Sequence, residues 1–85
     1  MQEFSYTIKD PNGVHARPAG LLVKAAKGFA SSVTLTVDGK SCDAKKILAV
    51  MGMAIKQGST VTVRAEGADE EACAAAVHQT LAENL

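Results

Sequence analysis

Apolar side chains recur at every second position in several short stretches, which is typical of half-buried β-strands. In the first stretch Phe4, Tyr6 and Ile8 alternate with polar residues. Further along, Asp38-Gly39 is a strong signal for a two-residue hairpin turn. The alternation and this turn together predict three more strands, at residues 33–37, 40–42 and 60–64.

Other stretches carry apolar residues at steps of three and four, the period of an amphipathic helix. The predicted helices are Ala16 to Ala30 with an end near Gly28, Lys46 to Lys56 with Gly58 as the stop signal, and a last helix from the Gly67-Ala68-Asp69 turn through Ala82. Asp69, Glu70 and Glu71 would complement the dipole at the start of the last helix. The order βαββαβα predicts an α+β fold with helices covering one side of an antiparallel sheet. The pattern leaves the strand order open.

The candidate chemistry lies where the first loop becomes a helix. Residues 10–13 form a turn cluster, and His15 follows at or next to the helix N-cap. Pro18 suits the first turn, where a missing N–H costs no hydrogen bond. Free N–H groups and the helix dipole make such a start an anion site, and a neutral imidazole there has the lone pair of a nucleophile. Arg17 could then donate a planar fork of N–H groups to phosphate oxygens.

A plainer interpretation of the same residues stays open. A lone histidine beside a helix start is more often a cap or a surface residue than a nucleophile. Arg17 could be solvated, and Pro18 could be only a helix-start signal. From spacing alone the phosphate site is the less favoured of the two interpretations.

Composition narrows the class of protein. With 85 residues, 47% of them hydrophobic and 21% charged, the chain is expected to form one domain, residues 1–85, with a small core. A formal net charge of zero argues against nucleic acid as the main partner. The chain has neither an apolar run long enough to cross a membrane nor a signal-peptide pattern at its start, so a cytoplasmic location is expected. Cys42 and Cys73 lack metal-binding spacing and are expected to be small, buried or half-buried residues. His78 is expected to be a surface residue of the last helix.

The charges are unevenly distributed along the chain. Between His15 and Gln57 only Asp38 and Asp43 oppose a set of seven basic residues, which are Arg17, Lys24, Lys27, Lys40, Lys45, Lys46 and Lys56. A basic surface around His15 would favour acidic protein partners and steer their approach. Alternatively, some of these lysines only solvate helices.

The middle helix has more apolar residues than one buried stripe needs. If Val50 and Ala54 pack inward, Ile47, Leu48 and Met51 stay partly outside. An exposed apolar patch usually marks a contact site, and methionine suits a surface that fits several partners. A short, deeply buried helix explains the pattern equally well.

The segment Gly13-Val14-His15-Ala16-Arg17-Pro18-Ala19 resembles the active-site signature of the HPr family, the histidine phosphocarriers of the bacterial phosphoenolpyruvate-dependent sugar phosphotransferase system. The likeness extends along the whole chain in length and element order. It implies an open-faced β-sandwich, in which four antiparallel strands in the order first, fourth, second, third carry three helices on one face.

The resemblance also implies a function. His15 would accept a phosphoryl group on Nδ1 from phospho-Enzyme I and pass it to sugar-specific IIA domains, with Ala16 and Arg17 binding the phosphate. It implies a partner surface, called the docking surface below, that consists of Ala16, Arg17, Gly20, Lys24, Ile47, Leu48 and Met51. Such a protein is a monomeric carrier rather than a turnover enzyme, and it needs no metal or organic cofactor.

One position departs from the family pattern. Many relatives from Gram-positive bacteria have a regulatory serine where this chain has Lys46, so control by a serine kinase is not expected. Two alternatives to sugar phosphotransfer remain. One is a paralogous carrier of a nitrogen-regulatory or dihydroxyacetone branch, and the other is a regulatory binding module of the same fold, against which the intact His15 motif counts.

Overall fold

The computed structural model describes residues 1–85. In chain order its elements are β1 (Gln2–Thr7), α1 (Ala16–Lys27), β2 (Ser32–Val37), β3 (Lys40–Asp43), α2 (Ile47–Gly52), β4 (Thr60–Glu66) and α3 (Glu70–Asn84). The predicted order βαββαβα is therefore confirmed. All strand pairs are antiparallel, and the order across the sheet is β1-β4-β2-β3, as the resemblance implied.

The sheet has one apolar face because its strands alternate in the predicted way. In the central strand β4, Val61, Val63 and Ala65 are buried and the residues between them are polar. Val63 lies opposite Phe4 on one side and Leu35 on the other, so the apolar positions of neighbouring strands fall in register. The helices cover this face, with α3 on β1 and β4, α1 beside α3, and α2 between α1 and β3. The fold is the open-faced sandwich that the resemblance implied.

The β2–β3 hairpin has the predicted turn. Asp38 and Gly39 have φ angles of 51° and 79°, the left-handed values that a type I′ turn requires at both central positions. Val37 and Lys40 pair on either side of it.

The first helix ends at Lys27 with Gly28 as its C-cap, which confirms the predicted end near Gly28. Phe29 and Ala30, to which the apolar spacing extends, lie outside it. The middle helix ends at Gly52 rather than before Gly58, and Gly58 instead turns the chain into β4 with a φ of 87°. The predicted inward position of Ala54 is also wrong, because this residue is exposed.

The cause of the early end of α2 lies in the residues that follow it. The amides of Met53 and Ala54 donate to carbonyls only three residues back, at 3.2 Å each, which tightens the last turn. Ala54 then takes a φ of 50°, outside the right-handed helical region. This bend brings Ile55 into the core, where its side chain is only 4% exposed.

Asp69 connects the start of α3 to the α1–β2 link rather than capping its own helix. Its carboxylate accepts hydrogen bonds from the amides of Ala30 (2.8 Å) and Ser31 (2.9 Å) and from the Ser31 hydroxyl. These bonds, the one from the Ser31 hydroxyl above all, lower the pKa of the Asp69 carboxyl below its usual value. Asp69 makes no side-chain bond to the first turn of α3. It can therefore complement the dipole of that helix only through its charge at the N-cap position.

Candidate functional site

His15 is the N-cap of α1, as predicted. Its backbone is extended, with φ −98° and ψ −173°, and its carbonyl accepts the first helical hydrogen bond from Ala19 at 2.9 Å. The imidazole makes no capping hydrogen bond and is exposed. The side chain of His15 is therefore not used as a cap, and its ring nitrogens are accessible.

The loop before His15 is fixed by hydrogen bonds of ordinary length from main-chain amides. The Asn12 amide donates to the Asp10 carboxylate at 2.8 Å, and the Gly13 amide donates to the Asp10 carbonyl at 2.9 Å. Val14 is buried, and its amide donates to the carbonyl of Ile55 at 3.0 Å. His15 thus follows directly on a residue that is anchored in the core.

The first turn of α1 keeps donors free on its outer side. The amides of Ala16 and Arg17 have no partner within the helix, since the first helical bond comes from Ala19 and Pro18 has no N–H. The Arg17 side chain is exposed and takes part in neither of the two ion pairs of the protein, which join Met1 to Glu70 and Arg64 to Glu3. Backbone donors and a free guanidinium therefore lie next to the imidazole, an arrangement that can bind a phosphoryl group.

An open depression of about 240 Å³ lies beside His15. Its lining consists of Asp10, His15, Arg17, Pro18, Leu21, Glu83 and Asn84. The last two come from the end of α3, which packs against α1. The amides of Lys9 and Asp10 donate to the carbonyl oxygen of Leu85, at 2.6 and 2.9 Å, so the end of α3 is tied to the loop. The carboxylates of Asp10 and Glu83 lie on its wall and would repel an anion. This repulsion limits how tightly the depression would hold a phosphoryl group.

Sequence reasoning missed Asp10, Leu21, Glu83 and Asn84 as lining residues of this depression. Leu21 had a usable signal, because Leu21 and Leu22 are adjacent on a helix and cannot both face the core. Its side chain is 38% exposed. Glu83 and Asn84 had no such signal, since only the packing of α3 on α1 brings them to the site.

The residues of the docking surface lie on two helices in contact, α1 and α2. On α2, Val50 is completely buried, whereas Ile47, Leu48 and Met51 are 40%, 82% and 41% exposed. This decides between the two interpretations of the helix, because a buried helix would not expose three large apolar side chains. On α1, a Cβ added at Gly20 would lie 3.8 Å from Cδ1 of Ile47, an ordinary van der Waals distance, so the two helices meet at these residues with room for one more methyl group.

The remaining singled-out residues lie away from His15. His78 is exposed on α3 and packs edge-on against Phe4 and Tyr6 of β1, with ring centroids 5.0 and 6.1 Å away. Cys73 is buried and Cys42 half-buried, as expected, and burial raises the pKa of both thiols. None of the helices is both long and apolar enough to cross a membrane.

The comparisons with known proteins agree with this geometry. A family model described as the PTS HPr component phosphorylation site matches residues 2–83. The chain belongs to the HPr family. Over 71 residues it is 46% identical to the phosphocarrier protein HPr of Lysinibacillus sphaericus, and the aligned residues cover 84% of this chain and 81% of that protein.

Solved structures of HPr proteins are similar over nearly the whole chain. A histidine-containing phosphocarrier protein of Mycoplasma superposes with a TM-score of 0.94 at 40% identity, covering 96% of this chain and 93% of that one. An HPr dimer from Thermoanaerobacter tengcongensis gives a TM-score of 0.78 at 37% identity, over 98% of this chain and 95% of that one. Dimers therefore occur in the family, and the monomeric state of this protein stays a prediction.

Proposed function

We propose that this protein carries a phosphoryl group on Nδ1 of His15, accepting it from phospho-Enzyme I and passing it to sugar-specific IIA domains. Membership of the HPr family supports the general role of a phosphocarrier. The single observation that carries the assignment to His15 is its exposed imidazole, which makes no capping bond and lies at a helix N-terminus beside the unpaired Arg17.

The transfer needs positioning and charge stabilisation rather than covalent chemistry by further residues. The lone pair of Nδ1 forms a bond to phosphorus while the bond from phosphorus to the donor breaks, and that electron pair returns to the donor atom. Arg17 and the free amides of the first turn donate hydrogen bonds to the phosphoryl oxygens. In onward transfer the same steps run in reverse with a IIA domain as acceptor, so the protein is regenerated rather than turned over.

The docking surface supplies the contact with both partners. Ile47, Leu48 and Met51 form an exposed apolar patch, which Lys24 and Lys46 flank with positive charge. Such a patch fits partners with an apolar centre and an acidic border. Because the complex must separate after each transfer, a small interface is expected, on the order of 1,200 Å² or less.

Lys46 is expected to exempt this protein from control by serine phosphorylation. It is the exposed N-cap of α2, directly before Ile47. A phosphoserine there would add about −1.5 to −2 charges beside the apolar patch and repel an acidic partner. A lysine cannot be modified in this way. With ATP and an HPr kinase, only the Lys46→Ser variant should gain a stable phosphate. Inhibitory phosphorylation of wild type on Ser41 or another serine would contradict this.

The function is tested by incubation with phosphoenolpyruvate and Enzyme I, followed by intact-mass measurement. One phosphoryl group per chain is expected, labile in acid and stable in alkali. Parallel reactions with the donors of the nitrogen-regulatory and dihydroxyacetone branches identify the branch by the fastest transfer. An unmodified mass with all donors would contradict the carrier function and favour a binding module.

A further inference from the structure

The backbone of Gly13 lies directly against the backbone of Ile55. A Cβ placed on Gly13 would be 2.3 Å from the Ile55 carbonyl oxygen and 2.8 Å from Cα of Lys56. Both of these neighbours are main-chain atoms, which cannot turn away as the end of a flexible side chain can. The same carbonyl accepts the Val14 amide at 3.0 Å. One peptide group of the α2–β4 connection therefore holds the two residues that precede His15.

 Ala54 has a φ of 50°, in the left-handed region that residues with a side chain rarely adopt. Its side chain is exposed, so no packing of the methyl group explains the strain. The other residue of this kind, Asp38 with a φ of 51°, lies in the hairpin turn that requires such an angle. At Ala54 the angle instead ends α2 and turns the Ile55 carbonyl towards Gly13.

Resting on the function proposed above, we propose that residues 54–55 are a positioning element for the phosphoryl acceptor. The strained turn at Ala54 presents the Ile55 carbonyl, this carbonyl fixes Gly13 and Val14, and Val14 fixes the backbone from which the His15 imidazole projects. The element follows directly on α2, which carries Ile47, Leu48 and Met51 of the docking surface. A partner bound to α2 is thereby held at a set distance from Nδ1 through one short stretch of main chain. Transfer is sensitive to such placement, because a misplacement of about 1 Å can cost on the order of a hundredfold in rate.

The first test compares two glycine variants. Gly13→Ala forces a side chain into the Ile55 backbone, whereas Gly39→Ala adds one at a similar φ of 79° with nothing within 4 Å. Both variants strain the backbone, so both are expected to lose stability. Only Gly13→Ala should slow phosphorylation at saturating Enzyme I, by roughly tenfold to a hundredfold. The Enzyme I concentration that gives half the maximal rate should stay unchanged, because the docking surface is intact.

A spectroscopic measurement separates positioning from a general loss of structure. In folded Gly13→Ala the NMR signals of the His15 ring should shift from their wild-type values, and in Gly39→Ala they should not. Equal slowing by the two glycine variants, or wild-type ring signals and rate in Gly13→Ala, would overturn the proposal. The NMR signals of the His15 ring can be measured on the unphosphorylated protein. If wild type itself fails to accept a phosphoryl group, the proposed function is wrong, and the NMR comparison still decides the role of residues 54–55.

A second pair of variants decides the question if Gly13→Ala does not fold. Ala54→Val places a branched side chain at a positive φ on an exposed position, which should open the turn without a clash in the core. Asp38→Val introduces the same branched side chain at a nearly equal φ, 51°, in the distant hairpin. Ala54→Val should speed hydrogen exchange of the Val14 amide and slow phosphorylation at least tenfold, and Asp38→Val should do neither. Unchanged Val14 exchange and rate in Ala54→Val would contradict the proposal.

Discussion

The two ends of α1 are built in opposite ways. At its start, the side chains of His15 and Arg17 are exposed and make neither a capping bond nor an ion pair. After its end, the chain is held by two side chains from distant links, Asp69 before α3 and Lys45 between β3 and α2. Asp69 binds the amides of Ala30 and Ser31, and the Lys45 ammonium donates to the carbonyl of Phe29 at 2.9 Å.

The difference follows from what each end must do. The link after α1 enters the core at once, since Ser31 is 1% exposed, and buried backbone groups without partners would destabilise the fold. The start of α1 faces solvent, where water can satisfy its free donors. Under the proposed function, the phosphoryl group replaces that water. Substitutions at the first end should therefore change transfer more than stability, and substitutions at the second end should do the reverse.

The largest effect is expected for His15→Ala, which removes the nucleophile. Phosphorylation by phosphoenolpyruvate and Enzyme I should be abolished, while the free energy of unfolding should change by less than about 0.5 kcal/mol because the side chain is exposed and unbonded. Intact mass and thermal denaturation measure the two effects. The matched control is His78→Ala, which should keep full phosphorylation and lose about 0.5–1.5 kcal/mol of stability with its contacts to Phe4 and Tyr6. A phosphorylated His15→Ala protein would show that another residue is the acceptor.

Arg17→Ala should have the second largest effect. Loss of a charge-assisted hydrogen bond to the phosphoryl group is expected to cost about 1.5–3 kcal/mol in transfer, or roughly ten- to a hundred-and-fiftyfold in rate. Stability should change by no more than about 0.5 kcal/mol, since the guanidinium has no partner in the free protein. Rapid-quench rates of transfer in both directions give the measurement. Wild-type rates would mean that Arg17 is only solvated.

The start of α1 could be predicted from the sequence because its signals are local. The turn residues, the N-cap position of His15 and Pro18 in the first turn lie within nine residues, 10–18. The β2–β3 hairpin was predictable for the same reason, from Asp38 and Gly39. Apolar alternation likewise predicted which face of β1, β2 and β4 is buried, and the HPr resemblance supplied the strand order.

The structure after α1 and the end of α2 depend on contacts between distant parts of the chain, so they could not be predicted from local patterns. Asp69 lies 38 residues after Ser31, and its carboxylate looked like part of an acidic helix start until the fold brought α3 beside the α1–β2 link. Lys45 looked like one more solvated lysine of a basic surface. The early end of α2 could not be predicted either, because Met53 and Ile55 continue the apolar pattern while the contact of Ile55 with Gly13 requires the chain to leave the helix.

Asp69→Asn should produce the main stability change at the other end of α1. Folding lowers the pKa of Asp69, so its carboxylate stabilises the folded protein above the ordinary aspartate pKa of about 3.9, and this stabilisation is lost as the pH falls through the lower folded-state pKa. Wild type should therefore be more stable than Asp69→Asn at neutral pH, and the two should converge in acid. Urea denaturation at a series of pH values tests this.

The acid titration of Glu70 also changes stability, but this change cancels when Asp69→Asn is compared with wild type. The pKa of Glu70 is also lowered, by a hydrogen bond from the Met1 amino group, but Glu70 titrates in both proteins. The transfer rate of Asp69→Asn, corrected for the folded fraction, should equal that of wild type because Asp69 lies at the far end of α1 from His15. A stability difference that persisted unchanged into acid would show that the charge of Asp69 is not its source.

The smallest effect is expected for Lys45→Met, which removes a single hydrogen bond at the same end. Methionine keeps most of the aliphatic stem of the half-buried lysine, so packing should change little. Loss of the bond to the Phe29 carbonyl should lower the free energy of unfolding by about 1 kcal/mol, or the melting temperature by roughly 4–8 °C. Lys27→Met is the matched control, because Lys27 is exposed and makes no side-chain bond, and its melting temperature should differ from that of wild type by at most about 2–4 °C. If both variants melt alike, the Lys45 bond contributes nothing to stability, and the end of α1 is held by Asp69 alone.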